Sequence, residues 1–259
     1  MSPEPLRLYW SASKPNVGDW LSPLIVQSCT SRQVVHAPAK RCDMMSIGSV
    51  LQKAKNHFWS PSLDIWGSGF MHAGGPTKLK HRVHAVRGRL TRQRLVGCQD
   101  IVCGDPGLLL PGIMGDYASD QRPVTVGVVP HYWDRESVQV KRFIESFPGA
   151  KFIDIFSKVE DFVREVNQCE CILSSSLHGL VIADAFGIPN QWLVLSDKVE
   201  GNNFKFRDYY SVFDMPTPEF MQLETIDAAT IETIVSSYTR PGLNSVVDRL
   251  SASFPETWK

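Results

Sequence analysis

Short apolar runs alternate with turn-rich segments along the first half of the chain. Runs of this length bounded by glycine, proline or asparagine are typical of strands in an α/β fold. Between the first two runs, Asp19 is predicted to cap a helix through Trp20 and Leu24, with Pro23 tolerated near its first turn. The runs, in chain order, are LRLYW (6–10), DMMSIGSVL (43–51), LDIWGSGF (63–70), VHAVRGRLTRQRLV (83–96) and DIVCGDPGLLL (100–110).

The same alternation resumes after a polar segment, MGDYASDQRP (114–123), which we interpret as a linker. VTVGVVP (124–130) has the apolar, β-branched character of a buried parallel strand, and a helix is expected over 135–147. Helices are then predicted to separate the runs KFIDIF (151–156), CILSSS (171–176) and NQWLVL (190–195). A closing amphipathic helix is indicated by Leu243, Val246, Val247, Leu250 and Phe254, which lie at helical spacing.

Strand–helix alternation in two blocks predicts an α/β protein with two Rossmann-like domains that face each other across a cleft. The linker places the N-terminal domain at 1–118 and the C-terminal domain at 119–259. The last helix is expected to pack back onto the N-terminal domain. Ligands of parallel sheets bind where strands end and helices begin, so residues at these positions are the candidates for chemistry.

The composition narrows the classes of function. The 259 residues carry 27 basic and 27 acidic side chains, and this balance disfavours a general nucleic-acid binder. The start of the sequence has no long apolar region, and no run of about 18 apolar residues occurs. We therefore expect a cytoplasmic protein whose only membrane contact is peripheral, at the inner face of the plasma membrane. The six cysteines form no CxxC pair, so no metal site is expected.

Charge is unevenly distributed between 67 and 99, where basic residues accumulate and no acidic residue occurs. A solvated basic face and a site for an anionic ligand, such as a phosphate or diphosphate, both fit this pattern. Arg87 follows a predicted strand, and there we favour anion binding. The basic stretch consists of Lys78, Lys80, Arg82, Arg87, Arg89, Arg92 and Arg94.

The segment CILSSSLHGLVIADAFGIP runs from a predicted strand into a predicted helix. Ser174, Ser175 and Ser176 end the strand, and His178 opens the helix. The N–H groups of a first helical turn favour a negative ligand, and the serine hydroxyls add donors. His178 could hold a proton near pH 7 and act as a general acid, or its ring could cap the strand end structurally. Position alone leaves both roles open.

His131 follows the 124–130 strand at the edge where a parallel sheet binds its ligands. It is a candidate for binding a substrate, and packing beside Tyr132 and Trp133 is the alternative. Asp105 in GDPG is interpreted as a turn-former, because Asp-Pro-Gly is turn chemistry.

Two loops of the first half complete the set of candidates. In NVGD, Asp19 could accept a proton from a hydroxyl or simply cap its helix, and Asn16 and Gly18 would shape the loop. In WGSG, Gly67 and Ser68 permit a close approach of the backbone to a ligand. This loop lacks the Lys-Ser/Thr ending of a phosphate-binding P-loop.

Eight segments in order between residues 16 and 210 resemble the polysaccharide pyruvyl transferase family, especially the bacterial exopolysaccharide ketal-pyruvate transferases. Each segment alone is weakly diagnostic, whereas eight in the same order make a strong signal. They are NVGDWLSPLIV, IGSVL, IWGSG, AVRGRLTRQRL, GDPGLLLP, VVPHYWD, CILSSSLHGLVIADAFGIP and FKFRDYY.

This resemblance implies a fold similar to the GT-B glycosyltransferases, with the acceptor on the N-terminal domain and the donor on the C-terminal domain. It implies phosphoenolpyruvate (PEP) as donor substrate, no cofactor, and a pyruvate ketal formed across two hydroxyls of a sugar. The acceptor would be an exopolysaccharide or its lipid-linked repeat unit. Such chemistry needs a proton donor at the PEP methylene, cations for the carboxylate and phosphate, and an acceptor for the hydroxyl proton.

The resemblance also assigns roles to residues. His178 matches the family histidine and is the expected acid, and Asp19 is the expected base. Several family members carry an arginine two residues before that histidine to hold the donor phosphate, and Ser176 stands there in this chain. Lys205 is the first substitute for that cation and Arg207 the second. The residues expected to bind the donor are Ser174, Ser175, Ser176, Lys205, His131 and Arg207. Those expected to bind the acceptor or an anion are Arg87, Asn16, Gly18, Gly67 and Ser68.

Two alternative interpretations remain. A GT-B-type glycosyltransferase with a nucleotide-sugar donor would bind a nucleoside diphosphate rather than PEP. A non-catalytic saccharide-binding protein is left open by Ser176, although the presence of His178, Lys205, His131 and Asp19 together argues against it. In the leading interpretation, the basic stretch would meet a lipid diphosphate or anionic head groups of a membrane.

Overall fold

The computed structural model describes residues 4–12, 16–56, 59, 61–119, 121–199, 201 and 203–259. Strands alternate with helices along these ranges, as the hydrophobic pattern predicts. The strands are β1 (Leu6–Tyr9), β2 (Val34–His36), β3 (Met44–Met45), β4 (Asp64–Trp66), β5 (Arg82–Val86), β6 (Val102–Cys103), β7 (Val124–Val129), β8 (Ala150–Phe152), β9 (Cys169–Ser174) and β10 (Asn190–Trp192). The helices are α1 (Val17–Cys29), α2 (Arg89–Arg94), α3 (Pro111–Met114), α4 (Val138–Ser146), α5 (Val159–Asn167), α6 (Leu177–Ala185), α7 (Phe204–Tyr210), α8 (Ala228–Ser237) and α9 (Leu243–Ala252).

The chain divides into two units, and each is built around its own parallel sheet. The first unit contains Met1–Leu109, Gly201–Met215 and Pro241–Lys259. The second contains Leu110–Glu200 and Pro216–Arg240. The predicted α/β class is therefore confirmed as two parallel sheets with helices.

The sheet of the first unit has the strand order β2-β1-β3-β4-β5-β6. Its chain passes from β1 to β2 on one side and then crosses to β3 on the other side of β1. The central strands β3 and β4 are buried on both faces, since every residue of Met44–Met45 and Asp64–Trp66 is buried. The strand order reverses between β1 and β3, and α/β proteins bind ligands at the carboxyl ends of strands beside such a reversal.

The sheet of the second unit has the order β10-β9-β7-β8, so its strand order reverses between β7 and β9. The two strands pair along their whole length, and Val129 at the end of β7 lies opposite Ser174 at the end of β9. One face of the sheet packs in a cluster that includes Val128, Phe143 of α4 and Ile231 of α8. This packing fixes the carboxyl ends of β7 and β9 side by side.

Helix α1 begins earlier than the sequence pattern predicts. Asn16 is its N-cap, and the Asn16 Oδ1 accepts the Asp19 N–H at 3.3 Å. The Asp19 carboxylate in turn accepts the backbone N–H of Asn16 at 3.2 Å, which completes a capping box. The prediction that Asp19 is itself the N-cap was therefore wrong, because the asparagine three residues earlier satisfies the free N–H groups first.

A buried ion pair holds α7 in the first unit. The fully buried guanidinium of Arg87, just after β5, lies 2.9–3.0 Å from the fully buried carboxylate of Asp208 in α7. Asp208 also accepts the N–H and the hydroxyl of Thr91, both at 2.7 Å, and so caps the start of α2. The remaining guanidinium N–H groups reach the Ser49 hydroxyl at 2.6 Å and the Phe70 carbonyl at 2.7 Å. We call this arrangement the Arg87–Asp208 pair.

Helix α9 also belongs to the first unit. The Trp66 indole N–H donates to the Leu250 carbonyl at 3.2 Å, and the Trp66 ring packs edge-on against Phe254. Gly104 leaves the space that this contact needs, because a Cβ there would lie 2.1 Å from the Leu250 side chain. The predicted boundary between 118 and 119 places 201–215 and 241–259 in the C-terminal domain. In the structure both segments belong to the first unit.

In the ranges that the structure describes, no helix is both long enough and apolar enough to cross a membrane.

Replacing Asp208 with asparagine should destabilise the protein strongly, because the Arg87 guanidinium would remain buried without a counter-charge. Breaking one partner of a buried ion pair costs about 3–5 kcal/mol of the free energy of unfolding. Asp214→Asn is the matched control, since Asp214 pairs with Arg89 through a side chain that is 73 % exposed; there we expect a loss below about 1 kcal/mol. Urea denaturation of the full chain measures both, and equal losses would contradict this account.

A second prediction concerns Asp105. Its Oδ1 accepts the Gly107 N–H at 2.9 Å, which confirms the predicted turn, while its Oδ2 is buried without a hydrogen bond. Burial raises the pKa of this carboxyl to about 6, so the folded state holds the proton more tightly than the unfolded chain. The stability of the wild type should therefore fall between about pH 4 and pH 7, by roughly 3 kcal/mol from this group.

Asp105→Asn removes that charge and keeps the accepting oxygen of the turn. The difference in unfolding free energy between the variant and the wild type should shift in favour of the variant as the pH rises through the same interval. Denaturation at the two ends of the interval measures it, and a difference that does not change with pH contradicts the assignment.

Candidate functional site

In the second unit, the strand-order reversal brings several predicted residues together. Ser174 ends β9, and Ser175 and Ser176 connect it to α6. The Ser175 hydroxyl accepts the backbone N–H of His131 at 2.8 Å, and the Ser175 N–H donates to the Val129 carbonyl at 3.2 Å. The loops after β7 and β9 are thus joined at the carboxyl edge of the sheet.

Ser174 has an internal role. Its hydroxyl oxygen accepts the Ser176 N–H at 3.0 Å and lies 2.9 Å from the Val129 carbonyl and 2.8 Å from the Ser176 carbonyl. Gly179 packs directly on it, because a Cβ at that glycine would lie 2.4 Å from the Ser174 oxygen. The predicted donor-binding role of Ser174 is replaced by a structural one, since this fully buried hydroxyl fixes the turn into α6.

His178 is placed differently from its neighbours. Helix α6 is apolar almost all round, and over Leu177–Asp184 every residue except His178 is buried. Ser176 is the N-cap residue, and its side chain makes no capping hydrogen bond. The N-terminal turn of α6 therefore carries N–H groups without a side-chain cap beside a half-buried imidazole, which suits an anionic ligand.

His131 is half-buried at the same edge, and its ring packs at a tilt of 34° on Tyr132, with 4.3 Å between the ring centroids. Tyr132 in turn contacts Trp133, whose ring centroid is 4.9 Å away and which is 48 % exposed. The packing alternative for His131 is thus present in the structure. Its backbone bond to Ser175 keeps the ring near the ends of β7 and β9, so packing and ligand binding are compatible.

In the first unit, Asn16, Gly18 and Asp19 lie at the matching reversal between β1 and β3. Gly18 is buried in the first turn of α1, and Asn16 and Asp19 form the capping box. Burial raises the pKa of Asp19 to about 6, and the neighbouring Lys53 ammonium opposes that rise. Asp19 is therefore a half-buried carboxyl that can exchange a proton near neutral pH.

Lys53 was not found by sequence reasoning. It ends a 3-10 helix, Leu51–Lys53. Its ammonium donates to the Tyr9 hydroxyl at 2.6 Å. Because Tyr9 ends β1 and Lys53 follows β3, only the pairing of these two strands brings the side chains together.

The structure changes the interpretation of three other residues. Arg87 is fully buried, and Asp208 compensates its charge, so its predicted anion-binding role lacks a free charge and an open face. Gly67 approaches Pro106 rather than a ligand, because a Cβ there would lie 2.2 Å from the proline ring. Ser68 is fully buried and donates to the Gly48 carbonyl at 3.0 Å. These groups shape the unit and are not exposed to bind a substrate.

Helix α7 carries the two cations proposed for the donor. Lys205 is only 9 % exposed, and its ammonium lies 5.3 Å from the ring centroid of Phe206. Arg207 is exposed, in agreement with the alternative that it is a surface residue. The Arg87–Asp208 pair anchors the helix that holds both.

The basic stretch is free of acidic residues in sequence but not in space. Arg82 makes a two-pronged ion pair with Asp64 at 2.8 Å, and Arg89 pairs with Asp214 at 2.9 Å. Arg87 pairs with Asp208. These carboxylates partly neutralise the positive electrostatic field that the basic stretch would offer to an anionic ligand. Within the described ranges, no three His, Cys, Asp or Glu side chains are grouped to hold an ion.

The sequence profile of the polysaccharide pyruvyl transferase family matches residues 41–196. An uncharacterized protein of Acanthamoeba polyphaga mimivirus is 28% identical over 170 residues, which cover 62% of this chain and 58% of the relative. The succinoglycan biosynthesis protein ExoV of Rhizobium meliloti strain 1021 is 26% identical over 208 residues, covering 78% and 62% respectively. The chain thus spans about three fifths of the length of these curated relatives. No solved structure matches it.

The matched region contains the β7–β9 edge with His131, Ser175 and His178. Because the profile covers more than half of the chain and includes this edge, the chain belongs to the polysaccharide pyruvyl transferase family.

Proposed function

We propose that the protein transfers the enolpyruvyl group of PEP to a sugar of an exopolysaccharide, or of its lipid-linked repeat unit, and closes a pyruvate ketal. The observation that carries the proposal is the half-buried His178 in the first turn of α6, a helix start without a side-chain cap at the β7–β9 reversal. Membership of the family and the similarity to ExoV support a role in exopolysaccharide synthesis. The cytoplasmic face of the plasma membrane is the proposed location.

The proposed chemistry begins with a proton from His178 to the methylene carbon of PEP, which becomes a methyl group and leaves positive charge at C2. A sugar hydroxyl attacks C2 and loses its proton to Asp19. The C2–O bond to phosphate then breaks, and a second hydroxyl attacks C2 to close the ketal. The proton that Asp19 accepts passes on to the departing inorganic phosphate, and the proton of the second hydroxyl restores His178, so both side chains return to their starting forms. Neither a metal nor another cofactor takes part in this scheme.

On the donor side, the N–H groups of the first α6 turn favour the negative phosphate or carboxylate. The Ser176 side chain, where other family members have an arginine, adds no charge, so a cation must come from elsewhere. Lys205 is the proposed partner because a lysine ammonium binds phosphate strongly and the Arg87–Asp208 pair anchors the helix that carries it. Arg207 is the second choice, and Ser175 and His131 shape the edge.

On the acceptor side, Asp19 is the proposed base, with Asn16 and Gly18 holding its loop. The GT-B-like arrangement, in which a donor-binding and an acceptor-binding unit face each other across a cleft, is part of this proposal. A peripheral membrane contact would deliver a lipid-linked acceptor. Arg82, Arg87 and Arg89 each pair with a carboxylate of this chain. The exposed Lys78 is therefore a better candidate than the buried Arg87 for contact with lipid head groups.

PEP should raise the melting temperature of the wild type. A ligand that binds only the folded state at a hundred times its Kd adds about 2.7 kcal/mol, or roughly 5–10 °C for a chain of this size. Lys205→Met, which keeps length and burial but removes the charge, should weaken PEP binding by about tenfold or more. Lys40→Met, at an exposed lysine outside the site, is the control and should leave the shift unchanged.

The same titration with uridine and guanosine diphosphates tests the alternative donor. Stabilisation by a nucleotide and not by PEP would overturn the pyruvyl transfer and favour a nucleotide-sugar glycosyltransferase. An equal PEP response in Lys205→Met would leave PEP as donor and remove Lys205 from its site.

The rate should fall below about pH 6, because Asp19 must be ionised to accept a proton. Lys53→Met should move this acid limb of the pH–rate profile to higher pH. The ammonium that it removes stabilises the charged Asp19 carboxylate, so its loss raises the pKa of Asp19. Lys55→Met, at the next exposed lysine, should not move it. Phosphate release from PEP in the presence of methyl β-D-glucopyranoside or methyl β-D-galactopyranoside gives the profile; an unchanged limb in Asp19→Asn excludes Asp19 as the base.

A further inference from the structure

Aromatic side chains gather at the carboxyl edge of the first sheet. Tyr9 ends β1 and Trp10 follows it, His36 ends β2, and Trp20 is the neighbour of Asp19 in α1. We call these four residues, together with Lys53, the aromatic platform. They come from segments separated by up to 44 positions and converge because β1 pairs with both β2 and β3.

The rings of the platform form one connected series. Trp20 and Trp10 lie 6.3 Å apart between ring centroids, and Trp10 meets His36 edge-on at 4.6 Å. His36 lies 6.4 Å from Tyr9, and the Lys53 ammonium is 5.1 Å from the Tyr9 ring. Trp20 is 45 % exposed, and His36 and Lys53 are exposed as well. The platform therefore combines a fixed inner ring, Trp10, with outer groups that a ligand can reach.

Polar groups point to the chemistry of that ligand. Trp10 is 8 % exposed, and its indole N–H is buried without a hydrogen-bond partner. The Tyr9 hydroxyl, the Lys53 ammonium and the Asp19 carboxylate add two donors and one strong acceptor. A buried donor without a partner costs free energy, which a ligand hydroxyl offsets if the ring shifts to meet it.

Charge distinguishes between kinds of ligand. The opposite charges of an ionised Asp19 and the Lys53 ammonium offset each other, so the platform and Asp19 together do not offer the positive field that a phosphate or a carboxylate donor such as PEP needs. A sugar ring is neutral, presents C–H groups on one face that pack on an indole ring, and carries hydroxyls at its edge that need both donors and acceptors. A pyranose satisfies each of these features at once.

We propose that Tyr9, Trp10, Trp20, His36 and Lys53 form a saccharide subsite that holds a pyranose of the acceptor on the Trp20 ring, with its hydroxyls toward Asp19. This inference rests on the proposed function for the identity of the acceptor. It adds the surface that would hold the sugar in place while Asp19 takes the proton.

Saturation-transfer NMR on the full chain tests the subsite with methyl β-D-glucopyranoside and methyl β-D-galactopyranoside, at concentrations on the order of 10 mM. We expect transfer to the C–H groups of one ring face in the wild type. Trp20→Ala should weaken binding by about fivefold to tenfold, as the loss of an aromatic contact does, and Trp20→Phe should restore part of it. Trp59→Ala is the matched control, because Trp59 is a more exposed tryptophan of the same unit outside the platform.

Transfer that is equal in the wild type and in Trp20→Ala overturns the subsite, and so does the absence of transfer from both glycosides. A loss in Trp59→Ala equal to that in Trp20→Ala assigns the binding to exposed tryptophans in general and also overturns it. The PEP-induced rise in melting temperature, measured on the same samples, separates the two proposals. If PEP stabilises the protein and no glycoside binds, the subsite fails while the transferase function stands. If glycosides bind through Trp20 and PEP does not, the transferase function fails alone.

Discussion

The Arg87–Asp208 pair is the interaction on which the first unit depends. The two charges are fully removed from water, and hydrogen bonds to Thr91, Ser49 and the Phe70 carbonyl help to offset the cost of burying them. The pair draws a segment more than a hundred positions away onto the end of β5 and caps α2 with the same carboxylate. Without it, α7 would lose its buried polar anchor and keep the hydrogen bond from the Arg89 N–H to Ser211 at the end of the helix.

A second constraint, the reversal of strand order, explains where the candidate residues lie. In each unit the chain runs to one side of its first strand and then to the other, so two strand ends are left without a covering connection between them. In the second unit this edge gathers His131, Ser175 and the start of α6 with His178. In the first unit it gathers Asp19, Lys53 and the aromatic platform. The same topology thus yields an anion-favouring edge and a charge-balanced aromatic edge, because the side chains at the strand ends differ.

Much of the fold could be predicted from the sequence because apolar runs and turn residues act locally. The alternation of strands and helices, the Asp105 turn and the position of His178 at a strand-to-helix junction all follow from neighbours in the chain. Arg87 and Ser68 could not be interpreted in this way. Their partners, Asp208 and the Gly48 carbonyl, are distant in sequence, and a run of basic residues shows nothing of the carboxylates that fold against it. The capping box at Asn16 was within reach, since Asn-x-x-Asp is a local signal.

The sequence by itself determined the α/β class, the order of strands and helices, the family and the position of His178 at a strand-to-helix junction, because these depend on short-range pattern and residue type. Tertiary structure decided which charges remain available. It buried Arg87 with Asp208, turned Ser174 inward to hold the α6 turn, and returned 201–215 and 241–259 to the first unit. It also joined Tyr9, His36 and Lys53 into one surface beside Asp19. The physical reason is the same in each case: electrostatics and packing act through space, and strand pairing sets the distances.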